Sequence, residues 1–135
     1  MRRATLIDIL RLGAITGMRS MAGPAALSLR GAGTLRALVP LLAAGEMVAD
    51  KTSFVGDRVD PLPLAGRALM GALAGGTVAR EAGASALAGG LVGAMTAIVV
   101  AHLAYRVRTR LPVSTTVGGL MEDAIVIGLA AAPAR

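Results

Sequence analysis

Residues 45–67, GEMVADKTSFVGDRVDPLPLAGR, constrain what this chain can fold into more than any other stretch. They start in one apolar segment and end in another, yet carry Glu46, Asp50, Lys51, Asp57, Arg58, Asp60 and Arg67. The rest is largely Ala, Gly, Leu, Val, Met and Ile: apolar residues make up 55% of the chain and charged ones 16%, against about 45–50% and 25% in ordinary soluble domains. A chain of 135 residues is one domain, and a domain so small buries a reduced share of its surface. It cannot hide this much apolar area from water, so a bilayer is the better solvent for it. A soluble, Ala-rich helical bundle is the alternative, because no apolar run continues uninterrupted for the ~18 residues of a simple spanning helix.

Charge narrows the partners. The net charge is +6, and every basic residue except Lys51 is Arg. With one Tyr and one Phe, the chain lacks the aromatic platforms of single-strand binders and the soluble basic face of duplex binders, which argues against nucleic acid. The Arg residues sit mostly at the ends of apolar runs, where they reach lipid phosphates or set orientation. The absence of Cys excludes disulfides and thiolate metal sites. Met-Arg-Arg at the start resembles a signal peptide, but Asp8, Arg11 and Arg19 interrupt the apolar part, so a retained first helix is expected.

Five helical segments are predicted. The first, about residues 4–29, pairs Asp8 with Arg11 one turn apart and is expected to break near Pro24, which cannot donate a backbone N–H and clashes one turn back. Arg19 lies deep in this segment. The second segment, about 34–51, carries Glu46 and Asp50 on one face (i, i+4), with Lys51 next to them. A charge at the bilayer centre costs about 2.5–3.5 kcal/mol, so that face should point inward; a bound hard cation on Glu46 and Asp50 is one way to relieve their repulsion. A loop with Asp57 follows, in which Arg58 and Asp60 read as ordinary loop charges. The third segment runs from Leu64 to about Ala79, opened by Pro63 and preceded on its chain side by the support candidates Asp57 and, inside it, Arg67. The fourth, about 84–110, ends in His102, Tyr105, Arg106, Arg108 and Arg110; His102 and Arg106 share a face, while Arg108 and Arg110 read as a basic helix end. The fifth, about 117–132, is capped from Ser114 to Thr116 and carries Glu122-Asp123 near its start, where the macrodipole favours carboxylates. Counting Arg2, Arg3, Lys51, Arg58, Arg106, Arg108 and Arg110 on one side, against Arg30, Arg36, Arg80 and Arg135, predicts a cytoplasmic N-terminus.

The run Gly17-Met-Arg19, Gly23-Pro24, Glu46-Met-Val-Ala-Asp50-Lys51, Asp57, Pro63-Leu-Ala-Gly66 resembles a family of small bacterial integral membrane proteins that is known only as a domain of unknown function. The likeness continues through Ala101-His102, Arg106, Arg110, Gly118-Gly119 and Glu122-Asp123, and covers nearly the whole chain. The short link between Arg110 and Gly118 departs from the family, which often has a longer, Asn-containing one. The resemblance implies a polytopic α-helical protein of the inner membrane with an internal polar cluster, and no established activity.

The expectation is therefore an all-α, polytopic membrane bundle of about five spanning or partly spanning helices, as one domain over residues 1–135, needing no cofactor. Its partners are the lipid bilayer, a small ion or solute, and further copies of itself through Gly-rich faces such as Gly71-x-x-x-Gly75 and Gly89-x-x-x-Gly93. The candidate site is Arg19, Glu46, Asp50, Lys51, Asp57, Arg67, His102, Arg106, Glu122 and Asp123. Transport of a small ion or solute ranks first, since ionisable residues inside a bundle mark ion paths. An enzyme or flippase acting on a lipid phosphate comes second, without a nucleophile–base signature. A non-catalytic subunit, whose buried ion pairs only fix helix register, is the third reading.

Overall fold

In the computed structural model, residues 1–30, 39, 43–45 and 60–132 are described. Among them the secondary structure is helical throughout: α1 (Arg3–Met18), α2 (Ala22–Ser28), α3 (Pro61–Glu81), α4 (Ala86–Arg110) and α5 (Thr115–Ala131). The expected second segment falls mostly outside the described residues, as do Glu46, Asp50, Lys51 and Asp57.

Local chemistry explains where the helices stop. Pro24 cannot bond back to Ser20, so the chain ends α1 at Met18, turns through residues 19–21, and restarts at Ala22. Pro24 then sits in the first turn of α2, where its missing N–H is not needed. The break is a reversal. Gly23 packs on Thr16 and Leu12 of α1, and Arg30 reaches back to Asp8 at 2.6 Å, so α2 runs down the flank of α1. At the end of α3, Ala84 N–H bonds to Ala79 carbonyl at 2.8 Å and Gly83 N–H to Arg80 carbonyl at 3.0 Å. Gly83 supplies the left-handed residue (φ 68°) that this helix stop requires. Ser85 and Ser114 accept from the backbone N–H of Ala88 and Val117, each at 3.3 Å, opening α4 and α5.

Three helices pack through glycine. A Cβ on Gly71 would lie 2.6 Å from the Gly93 carbonyl, and Gly75 and Gly89 face each other in the same way, so α3 and α4 form an antiparallel hairpin in backbone contact. Gly13 faces Gly93 and Thr96, and Gly17 faces Ala97 and Ala101, which lays α1 parallel to α4 along the same seam. Ile9, Leu12 and Ile15 of α1 are fully buried beside Ala74, Val78 and Ala79 of α3. Helix α5 is attached differently. Arg11 Nη1 donates to the Ala132 carbonyl at 2.6 Å, and Arg19 reaches Asp123, so α5 lies antiparallel to α1 and packs on α1 and α2 rather than on its chain neighbour α4. Arg11 also donates to Asp8 at 2.7 Å, the expected one-turn pair.

Because α1 runs parallel to α4, Arg2 and Arg3 lie at the opposite end of the bundle from Arg106, Arg108 and Arg110, so the grouping of charges behind the expected cytoplasmic N-terminus does not hold.

Among the described residues two helices, α3 (21 residues) and α4 (25 residues), are long and apolar enough to cross a membrane. At 1.5 Å per residue they measure about 31 and 37 Å, against a hydrocarbon core of about 30 Å. Helices α1 and α5, at 16 and 17 residues, fall short of the roughly 20 residues of a full span. Leu87, Leu91, Met95, Val99, Leu103 and Val107 form an exposed apolar ladder along α4; spaced by four residues, it winds about 200° round the helix.

The glycine seam generates a test. Gly71→Ala is expected to cost about 1–3 kcal/mol through overpacking, whereas Gly66→Ala, with open space at its Cβ position, is expected to be neutral or to stabilise by up to about 1 kcal/mol. Thermal unfolding of the detergent-solubilised variants, followed by circular dichroism, checks the difference.

Candidate functional site

The end of α1, the second turn of α3, the last turns of α4 and the first half of α5 meet at one end of the bundle, and charged side chains converge there. Arg19 is at the centre. Its side chain leaves the turn after α1 and is 1% exposed. Nε donates to Asp123 Oδ1 at 2.8 Å; Nη2 lies 2.7 Å from the same oxygen, 4.0 Å from Glu122 Oε2, and donates to the Gly119 carbonyl at 3.4 Å. Arg108 Nη1 stands 4.0 Å from the same Glu122 oxygen on its other side. Glu122 thus sits between two guanidiniums, beyond hydrogen-bond length at both of these contacts, while Asp123 is gripped directly.

Arg67, 5% exposed, enters from α3 and donates from Nε to the Gly17 carbonyl at 3.3 Å. That carbonyl is one of the orphan acceptors in the last turn of α1. Arg19 and Arg67 therefore both stand at the negative end of the α1 dipole, where cations are favoured. Thr16, also buried, satisfies itself by donating to the Leu12 carbonyl at 2.7 Å.

The position of the carboxylates also differs from expectation. Helix α5 starts at Thr115, two residues before the predicted start, which puts Glu122 and Asp123 in its third turn, about 12 Å from the helix start. A macrodipole acts within the first turn and does not reach them. Arg19 is what holds Asp123 in place, at 8% exposure.

Of the ten residues proposed from sequence, Arg19, Arg67, Glu122 and Asp123 come together. Glu46, Asp50, Lys51 and Asp57 lie outside the described residues. His102 and Arg106 are exposed on α4 and do not join the cluster; the His102 Nδ1 lies 2.9 Å from the Ile98 carbonyl of its own helix. Their absence has a geometric cause. The buried face of α4 runs through Gly93, Ala97 and Ala101, and a helix advances 100° per residue. His102 is rotated one step off that face and Arg106 further, whereas Arg108, eleven residues beyond Ala97, returns to within about 20° of it. Arg108, which reads as a helix-end charge in the sequence, is reached by extending the small-residue pattern of α4 three turns beyond Ala97.

Among the described residues, no group of three or more His, Cys, Asp or Glu is placed to hold a metal ion. The cluster instead pairs Arg19 and Arg108 with Glu122 and Asp123, with Arg67 on the Gly17 carbonyl at the same helix end, a set suited to anion recognition, carboxylate pairing or proton relay. Comparison of the chain with family models, with curated proteins and with solved structures gives no match.

Breaking the central pair leaves a buried charge without its partner. Asp123→Ala is expected to cost about 3–5 kcal/mol, and the apolar double variant Arg19→Met/Asp123→Leu to recover most of that loss. His102→Gln, on the exposed face, is expected to stay within about 0.5 kcal/mol of the parent. Thermal unfolding of the four proteins in one detergent reads all three outcomes.

Proposed function

We propose that this chain is a polytopic protein of the bacterial plasma membrane that binds and passes a small ion or solute at its arginine–carboxylate cluster. The observation that carries the reading is the burial of Arg19 against Asp123 in a chain otherwise built of apolar helices. Each charge held at bilayer depth costs about 2.5–3.5 kcal/mol on insertion scales. Arg19, Arg67, Arg108, Glu122 and Asp123 together impose a cost that a purely structural bundle avoids by using apolar residues. The exposed apolar ladder on α4 and the two helices of spanning length support the membrane setting. Glu46, Asp50, Lys51 and Asp57 enter the proposal from sequence alone, as the ionisable groups of the stretch that leads into α3. Homo-oligomers belong to the same proposal, since so few helices enclose little volume.

A second reading is favoured by one feature of the same pair: Arg19 grips Asp123 at 2.7–2.8 Å, as a pair that merely sets the register of α1 against α5 would. The two readings differ in outcome. The protein reconstituted into liposomes is expected to raise the flux of at least one species in a panel of protons, alkali cations, halides and small anions above that of empty vesicles. Asp123→Asn is expected to change that flux, and the folded double variant Arg19→Met/Asp123→Leu to abolish it. Flux preserved in the double variant establishes the structural reading, and flux equal to empty vesicles across the whole panel refutes transport.

A further inference from the structure

The way α5 is attached leaves an opening that the transport reading does not use. Because α5 is clamped to α1 by Arg11 and Arg19 and lies away from α4, a groove of about 360 Å³ runs between α4 and α5. Its size falls within the roughly 300–1,000 Å³ of small-molecule sites. Met18, at the end of α1, forms its floor, and Val100, Leu103, Met121 and Ile125 line its walls. Leu103, Met121 and Ile125 are each about half exposed, so these walls are open to an occupant. Arg108 and Glu122 are the charged side chains among the described lining residues.

Two features identify the occupant. Along α4 the lining runs from Val100 to the C-cap Leu111, about 15 Å of helix, or half of a hydrocarbon core of about 30 Å. The groove therefore has the depth of one leaflet, starting at a helix end. That end is basic. Arg108 lines the groove, and exposed Arg110 lies seven residues beyond the lining residue Leu103, about 20° round the helix from it, where a headgroup phosphate of a lipid lying in the groove would stand. A short apolar slot of leaflet depth below a cluster of guanidiniums matches the two chemistries of an anionic phospholipid, and guanidinium binds phosphate through paired N–H donors.

We propose that the α4–α5 groove is a specific site for one acyl chain of an anionic phospholipid, with the phosphate held by the arginines at the end of α4. The site adjoins the charged cluster through Arg108 and Glu122, which line the groove and form the outer pair of that cluster. A bound lipid thereby completes the wall of the bundle that the described residues leave open beside Glu122. The inference rests on the membrane setting and is independent of whether the cluster transports anything.

Native mass spectrometry of the protein extracted in mild detergent from membranes containing phosphatidylglycerol and phosphatidylethanolamine tests it. The parent protein is expected to retain one phosphatidylglycerol per chain. Ala104→Trp, which fills the groove, is expected to lose it, while Leu87→Trp, at the far exposed end of α4, keeps it. Arg110→Gln is expected to lower the preference for phosphatidylglycerol over phosphatidylethanolamine roughly fivefold, while Arg106→Gln, turned away from the groove, is expected to leave it unchanged. Equal retention by Ala104→Trp and the parent means annular lipid only and overturns the proposal, as does a lipid-free dimer whose interface is lost in Ala104→Trp, since a second copy then fills the groove. Absence of any retained lipid from a protein that stays in carbonate-washed membranes also overturns it. Release of the protein by that wash refutes the membrane setting itself, so the two failures are distinguishable.

Discussion

The contact between Arg19 and Asp123 joins the two least similar parts of the structure. On one side is the turn that Pro24 forces after α1; on the other is an apolar helix with a carboxylate in its third turn. Each would be unfavourable alone: a guanidinium 1% exposed and a carboxylate buried beyond the reach of the helix dipole. In a low-dielectric interior their attraction is strong, but so is the desolvation that opposes it. The pair therefore contributes little to net stability, while it joins α5 to the end of α1 and leaves Glu122 between Arg19 and Arg108.

The other helices are held by the opposite strategy. The seam of α1, α3 and α4 contains almost no polar chemistry and relies on glycines that bring backbones together. In lipid, where there is no hydrophobic gain from hiding one apolar side chain against another, close van der Waals packing is what drives helices together. The same packing leaves the large side chains of α4 outside, as an apolar ladder. A soluble protein would be penalised for that surface; a membrane protein is solvated by it.

These two modes of attachment divide the bundle. Helices α1, α3 and α4 form a glycine-packed unit, and α5 is held to it by Arg11 at its C-terminal carbonyl, by Arg19 at Asp123, and by Val126 buried in the apolar core. These contacts explain why the chain neighbours α4 and α5 stand apart, why a groove opens between them, and why the charged cluster lies on the border between the rigid seam and α5. Site residues on such a border feel changes in charge more than changes in packing, since the contacts that place them are ionic.

What the sequence by itself determined is the set of features governed by near neighbours. The helical segments, the stop before Pro24, the Schellman turn at Gly83, the serine caps and the Asp8–Arg11 pair all follow from residues within one or two turns of each other, and the boundaries of α3, α4 and α5 differ from those expected by a few residues. Membership of the site was only partly legible. Arg19, Glu122 and Asp123 could be singled out because a charge deep in an apolar run demands a partner, but the sequence does not say which, and Arg19 and Asp123 are 104 residues apart. The tertiary structure decided the rest through rotation and direction. The glycine seam sets the rotation of α4, which turns Arg108 inward and leaves His102 and Arg106 outside; and the reversal at residues 19–21 sets the direction of α1, which moves the N-terminal arginines to the far end of the bundle. Neither a helix's rotation nor its direction is stored in local propensity, because both are fixed by the backbone that each helix packs against.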